Sequence, residues 1–124
     1  MNDMQSVFDT ATSAIILQGM RSEGKDKDGE LMCLYRGPYG TKCAVGFLLS
    51  DADISDYEIL ENTNPHDFPS DLIEKLVPDT DVETGKEFLL ELQSAHDMAS
   101  GDFVKDFTWR ANEVAAKYKL NPIK

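Results

Sequence analysis

The sequence predicts a single α+β domain, and three observations carry that prediction. Apolar residues recur at helical spacing near both ends of the 124-residue chain. A strand-like stretch surrounds a glycine–proline turn in between. The two kinds of element come in runs, without the βαβ alternation of a parallel sheet. A chain of this length falls within the ~100–200 residues of one domain, so residues 1–124 are read as one unit. Its 41% hydrophobic and 9% aromatic content supports a packed core over a disordered chain.

The expected elements follow in order. Over residues 4–20, Met4, Val7, Phe8, Ala11, Ile15 and, near the end, Leu17 are apolar, most of them at the i, i+3, i+4, i+7 spacing of an amphipathic helix, with Asp3 as N-cap and Gly19 weakening the last turn. Residues 21–30 hold no apolar side chain and read as an exposed loop. The runs 31–36 and 41–48 flank Gly37-Pro38-Tyr39-Gly40, and two strand-like runs around such a turn predict a central β-hairpin. One register makes Cys33 and Cys43 diagonal neighbours, and a bulge would set them opposite each other. An acidic region follows, with short helices over 51–60 and 70–76 (Ser70 a cap for the second) and a loop over 61–67. Thr84-Gly85-Lys86-Glu87 has the form of a capping box, which predicts a helix over 84–98. Ser100-Gly101-Asp102 breaks it and starts a last helix over 103–118, with Phe103, Phe107, Ala111, Val114 and Tyr118 on one face.

The net charge of −11 is unevenly placed. Residues 51–91 hold thirteen acids against Lys75 and Lys86, whereas the segments on either side nearly balance. Such a field disfavours direct contact with nucleic acid and attracts a basic surface. The start of the chain lacks the basic and apolar regions of a secretory signal, and no apolar run approaches the ~18 residues of a membrane span. Two cysteines are too few for a disulfide scaffold. Together these features predict reduced thiols, a cytoplasmic location and no membrane partner.

The stretch Cys33-Leu34-Tyr35-Arg36-Gly37-Pro38-Tyr39-Gly40-Thr41-Lys42-Cys43-Ala44-Val45-Gly46-Phe47-Leu48 is the most distinctive in the chain, and Leu92-Gln93-Ser94-Ala95-His96-Asp97 follows later. Together they resemble a group of small bacteriophage and prophage proteins with the pattern Cys-x-Tyr-Arg-Gly-x-x-Gly-x-Lys-Cys-Ala-[Val/Ile]-Gly-x-Leu. The acidic segment here is longer than in that group, and the 21–30 loop is particular to this chain. The resemblance implies phage origin, hence a host cytoplasm, and an accessory role directed at a host system. It implies no particular activity.

Four chemistries compete for these residues. A thiol enzyme would use Cys43 or Cys33 with His96 and Asp97 as base and orienting group; small buried hydrophobes explain the same cysteines. A zinc site would draw on Cys33, Cys43, His66 and His96, although structural zinc favours Cys-x2–4-Cys pairs. His66 otherwise reads as a solvated loop residue, and His96 as a cation facing a helix C-terminus. An anion or nucleotide site would use Arg36, Gly37, Gly40 and Lys42 at the hairpin tip, without the Walker pattern. The acids Asp51, Asp53, Asp56 and Glu58 lack the glycine and closing glutamate of a calcium loop. The preferred expectation is a non-enzymatic protein without a cofactor. It binds, and inhibits or modulates, a host protein with a basic surface, through Asp51, Asp53, Asp56 and Glu58 and the residues of the turn.

Overall fold

The computed structural model describes residues 3–25, 28–29, 31–61 and 63–123. These form six α-helices and one two-stranded antiparallel sheet, a mixed α and β fold. Helix α1 (Met4–Gln18) starts where the Asp3 carboxylate accepts the Ser6 N–H at 2.7 Å and stops at Gly19, whose φ of 73° only glycine adopts at little cost. It buries Met4, Val7, Phe8, Ala11 and Ile15 of the expected apolar set, whereas Leu17 is exposed in the last turn. Strands β1 (Glu23–Lys25) and β2 (Leu31–Cys33) pair next, with Glu23 opposite Cys33.

This pairing corrects the expected hairpin. Residues 31–33 are extended, but their partner is 23–25, inside the stretch read as a loop, and 41–48 is not a strand. Residues 26, 27 and 30 of that stretch lie outside the described residues. Pro38–Gly40 form a 3-10 turn, and helix α2 (Ala44–Leu48) follows it. The reason is tertiary. Ser22 and Leu34 extend the β1–β2 ladder through Leu34 N–H to the Ser22 carbonyl (2.9 Å) and Ser22 Oγ to the Leu34 carbonyl (2.8 Å). The turn then closes on itself, Gly37 N–H reaching the Thr41 carbonyl at 2.8 Å. Cys43 caps α2 by accepting the Gly46 N–H on its sulfur.

The acidic region carries helices α3 (Asp51–Asp56) and α4 (Ser70–Leu76), near the expected spans, with a 3-10 turn at Pro65–Asp67 inside the expected loop. Residue 62 of that loop lies outside the described residues. A reciprocal box of Ser50 and Asp53 starts α3, whereas Ser70 makes no cap, because α4 begins behind Pro69 without a side-chain partner. Helix α5 (Val82–Asp97) begins before the expected box: Asp81 accepts the Thr84 N–H at 2.7 Å, which places Thr84 inside the first turn. Helix α6 (Phe103–Lys117) is capped by Asp102.

Helix α5 is the centre of the molecule. It packs against α2, α4 and α6, and α1 lies against α2 and α6. Phe8, Phe68, Phe88, Phe107, Leu72, Ile73, Leu89 and Leu92 are fully buried between them. Each such side chain contributes roughly 1.5–3 kcal/mol of transfer free energy. No helix of the described residues is long and apolar enough to cross a membrane.

Candidate functional site

The two motifs converge. A pocket of about 340 Å³ opens between the loop after β2, Glu61 with residues 63–65, and the C-terminal half of α5, and Cys33, Tyr35, Cys43, Glu61, Gln93 and Asp97 line it. Gln93, His96 and Asp97 sit at i, i+3 and i+4 of α5, so one helix face presents all three. Gln93 joins the parts: its Oε1 accepts the Val45 N–H at 3.0 Å and its Nε2 donates to Asp97 Oδ1 at 2.7 Å. Gly46 lies against the Tyr35 backbone, where a Cβ would come within 2.5 Å of the Tyr35 carbonyl oxygen. Tyr35 donates its N–H to Glu61 Oε1 (2.7 Å) and its hydroxyl to the Thr63 carbonyl.

His96 is fully buried, and its two nitrogens have different partners. Nε2 accepts the Ser22 N–H at 3.0 Å, so the proton resides on Nδ1 and is donated to Asp97 Oδ1 at 2.9 Å. This corrects the expectation of a charged histidine facing a helix end: the ring is a neutral bridge between α5 and the chain before β1. Phe103 packs edge-on against it at 5.8 Å.

The same bonds decide what the thiols can do. Burial pushes the Cys33 thiol up from 9.0 to about 12, helped by the Asp97 carboxylate beside it. Burial pushes Cys43 up to about 12 as well, against the opposing Gly46 N–H. Both cysteines are free thiols. Both shifts disfavour the thiolate that nucleophilic attack requires, and His96 offers no lone pair toward either thiol. The ligand-type atoms of Cys33, His96 and Asp97 lie within 4.8 Å of one another. A cation coordinated by His96 Nδ1 would force a proton onto Nε2, directly against the Ser22 N–H. Only Cys33 and Asp97 of that group are therefore suited to hold a metal. His66 is exposed on the Pro65–Asp67 turn and is not in the group.

The turn residues lie apart from the pocket and are already engaged. Arg36 donates to the carbonyls of Gly46 and Leu49, both at 2.7 Å, and of Tyr35 at 3.1 Å, with Asp51 at 3.3 Å. It thus closes the C-terminal end of α2. Gly37 is held between Ser22 and Thr41, and the Lys42 N–H bonds to Gln18 Oε1 at 2.8 Å. The Lys42 ammonium lies over the Phe47 ring at 5.8 Å, and Gly40 faces open space. A phosphate at this turn would find Arg36 and the Gly37 and Lys42 N–H groups occupied. Of the four acids, Asp51, Asp56 and Glu58 are exposed, whereas Asp53 is buried, with Ser50 and Lys75 as partners.

Sequence reasoning missed Ser22, Glu61 and Gln93. The spacing of Gln93 to His96 and Asp97 on a helix was a usable signal; nothing near Glu61 marks it as the partner of a backbone 26 residues away. Comparison with protein-family models, with curated proteins and with solved structures returned no match.

Proposed function

We propose that this chain is a non-catalytic, phage-type accessory protein that binds and modulates a host protein through its acidic surface. One observation carries the reading: of the thirteen acids in residues 51–91, all but Asp53 and Glu91 are exposed. Among the described residues, ion pairs engage only Asp51, Asp53 and Glu91 of them. The remaining charge faces solvent, where it raises the rate of encounter with a basic surface. The protonated state of both thiols supports a binding role over a thiol enzyme.

The test compares the wild-type protein with the variant Asp56→Asn/Glu58→Gln/Asp67→Asn/Glu74→Gln, four exposed side chains outside the bonds that hold the fold. Asp53 is left intact because it is structural. Both proteins are immobilised and exposed to bacterial lysate, and the association rate of the captured protein is then measured against salt. Slower association and a flatter salt dependence in the variant are expected. An equal rate in both proteins removes the acidic segment from the mechanism, and a turnover activity that disappears on Cys43→Ser overturns the reading.

A further inference from the structure

The pocket beside Asp97 does not end at α5. Its lining includes Ser94, which also lines a second concavity of about 240 Å³ between α5 and α6; Trp109 lines that one and a third, of about 340 Å³, at the start of α6. Each concavity shares a lining residue with the next, so the three adjoin in a row and together form a groove divided by Ser94 and Trp109. Two large apolar side chains stand open along it, Met98 at 59% exposure and Trp109 at 62%. Exposed aromatic and methionine side chains in a groove with a charged rim are what anchors a protein contact.

Charge selects the occupant. Glu61 and Asp97 flank the first concavity, where no base among the described residues lines the wall, and Glu91 and Glu113 line the second. Asp102 and Asp106 lie at the far end. Against these stand Lys105 and Arg110; Arg110 is paired with Asp106 at 2.9 Å and Lys117 with Glu91 at 2.6 Å, so the acid excess rests on Glu61, Asp97, Asp102 and Glu113. The two carboxylates of the first concavity are also fixed in place. Asp97 Oδ1 is held by Gln93 and His96, and Glu61 accepts the backbone N–H groups of Tyr35 and Arg36. Anchored acceptors bind a cation with little ordering cost. A second copy of a chain with net charge −11 is repelled by the same field.

We infer that this groove docks an extended basic segment of a partner protein. One of its arginine or lysine side chains enters the pocket between Glu61 and Asp97, and the segment crosses α5 to pack on Trp109. The inference rests on the proposed function and locates the anchor of the same contact.

Trp109 is the chain's single tryptophan, so its emission reports on the groove directly. The probe is a synthetic 12-residue peptide of Arg, Lys and Leu, labelled for anisotropy and unlabelled for tryptophan emission. The control carries citrulline and acetyl-lysine in place of the bases. Binding of the basic peptide with a blue shift of Trp109 emission is expected, with none from the control. Trp109→Ala and Asp97→Asn should each weaken binding on the order of tenfold. Asn at position 97 keeps the Oδ1 acceptor for Gln93 and His96, so the pocket stays built while its charge is removed. If anisotropy rises but the emission and the Asp97→Asn affinity do not change, the peptide binds elsewhere on the acidic surface. The groove is then wrong and the proposed function stands. No binding at low salt also removes the groove, while the lysate comparison judges the function separately. An equal response to arginine amide alone makes the pocket a small-cation site, and an emission shift with protein concentration alone assigns the groove to a second copy. Either result overturns the inference.

Discussion

Gly46 shows how much of the site hangs on one missing methyl group. It is buried inside α2, where an alanine would gain up to about 1 kcal/mol in helix propensity. The Cβ would, however, meet the Tyr35 carbonyl oxygen at 2.5 Å and its Cα and carbonyl carbon at 3.2 Å, all backbone atoms. Forced repacking of that kind costs about 1–3 kcal/mol, so steric cost wins and Gly46→Ala destabilises. Gly24 in β1 makes the control. Its Cβ would meet the Leu34 Cδ1 methyl at 2.8 Å, the far end of a half-buried side chain that can turn aside, so Gly24→Ala stays near neutral. Urea midpoints of the two variants check this; a Gly46→Ala midpoint at or above that of the wild type would show that the Tyr35 loop yields freely. Tyr35 lines the pocket two residues after Cys33, the last residue of β2, so the same variant should expose the Cys33 thiol to labelling.

At the scale of the element, a short helix is held by one arginine. Helix α2 has five residues, too few to be stable alone. Its terminal carbonyls are satisfied by the Arg36 fork at Gly46 and Leu49. Hydrogen bonds from a charged donor contribute about 1.5–3 kcal/mol, whereas the pairing with Asp51, whose side chain is 96% exposed, contributes roughly 0–1 kcal/mol. Arg36→Ala is therefore expected to cost roughly 2–4 kcal/mol, with Asp51→Asn and Lys42→Ala within about 0.5 kcal/mol of wild type. Thermal melts of the three single variants test the ranking, and an Arg36→Ala protein as stable as Lys42→Ala would return the arginine to the list of free ligand-binding groups. The same helix explains where the sequence could be read and where it could not. Helices α1, α5 and α6 were legible because their apolar stripes and caps are written locally, in Met4 to Ile15 and in Asp3 and Asp102. Residues 44–48 resemble a strand in composition and become helical through bonds made at a distance, with Arg36 and Gln93. Strand β1 was invisible for a related reason: Glu23-Gly24-Lys25 has no apolar face and pairs through backbone alone. In the site, Cys33, Cys43, His96 and Asp97 were legible as chemistry, but the neutral state of His96 depends on Ser22, 74 residues away.

For the whole molecule, titration sets a window of stability whose two flanks fall in opposite directions of pH. On the acid side, the Ser6 N–H holds Asp3, the Thr84 N–H holds Asp81 and Arg110 holds Asp106 below 3.8. Burial pushes Asp53 up, but its bonds to Lys75 and Ser50 outweigh that and bring it below 3.8 as well. These groups stabilise the fold above 3.8, and that contribution is lost as pH falls through their lower folded values. On the alkaline side, burial raises Cys33 and Cys43 from 9.0 to about 12 and moves Tyr35 upward from 10.0. The folded chain keeps these protons where the unfolded chain releases them. Their contribution is complete below 9 and declines from there to about 12. Lys75 and Lys117, raised from 10.5 by bonds to Asp53 and Glu91, lose theirs above 10.5 in the same direction. Stability is thus expected to form a plateau between about pH 5 and 8 and to fall on both sides. General repulsion in a chain of net charge −11 also weakens the fold as pH rises, and salt separates the two causes. Added salt screens the repulsion between exposed groups and leaves the buried thiols untouched. Urea midpoints at pH 7, 9 and 10.5, each at low and high salt, should therefore keep an alkaline decline at high salt, and Cys43→Ala should make that decline shallower. A midpoint that stays level up to pH 10.5 at high salt would mean that the thiols ionise as they do in an open chain, which would return Cys33 and Cys43 to the set of available nucleophiles.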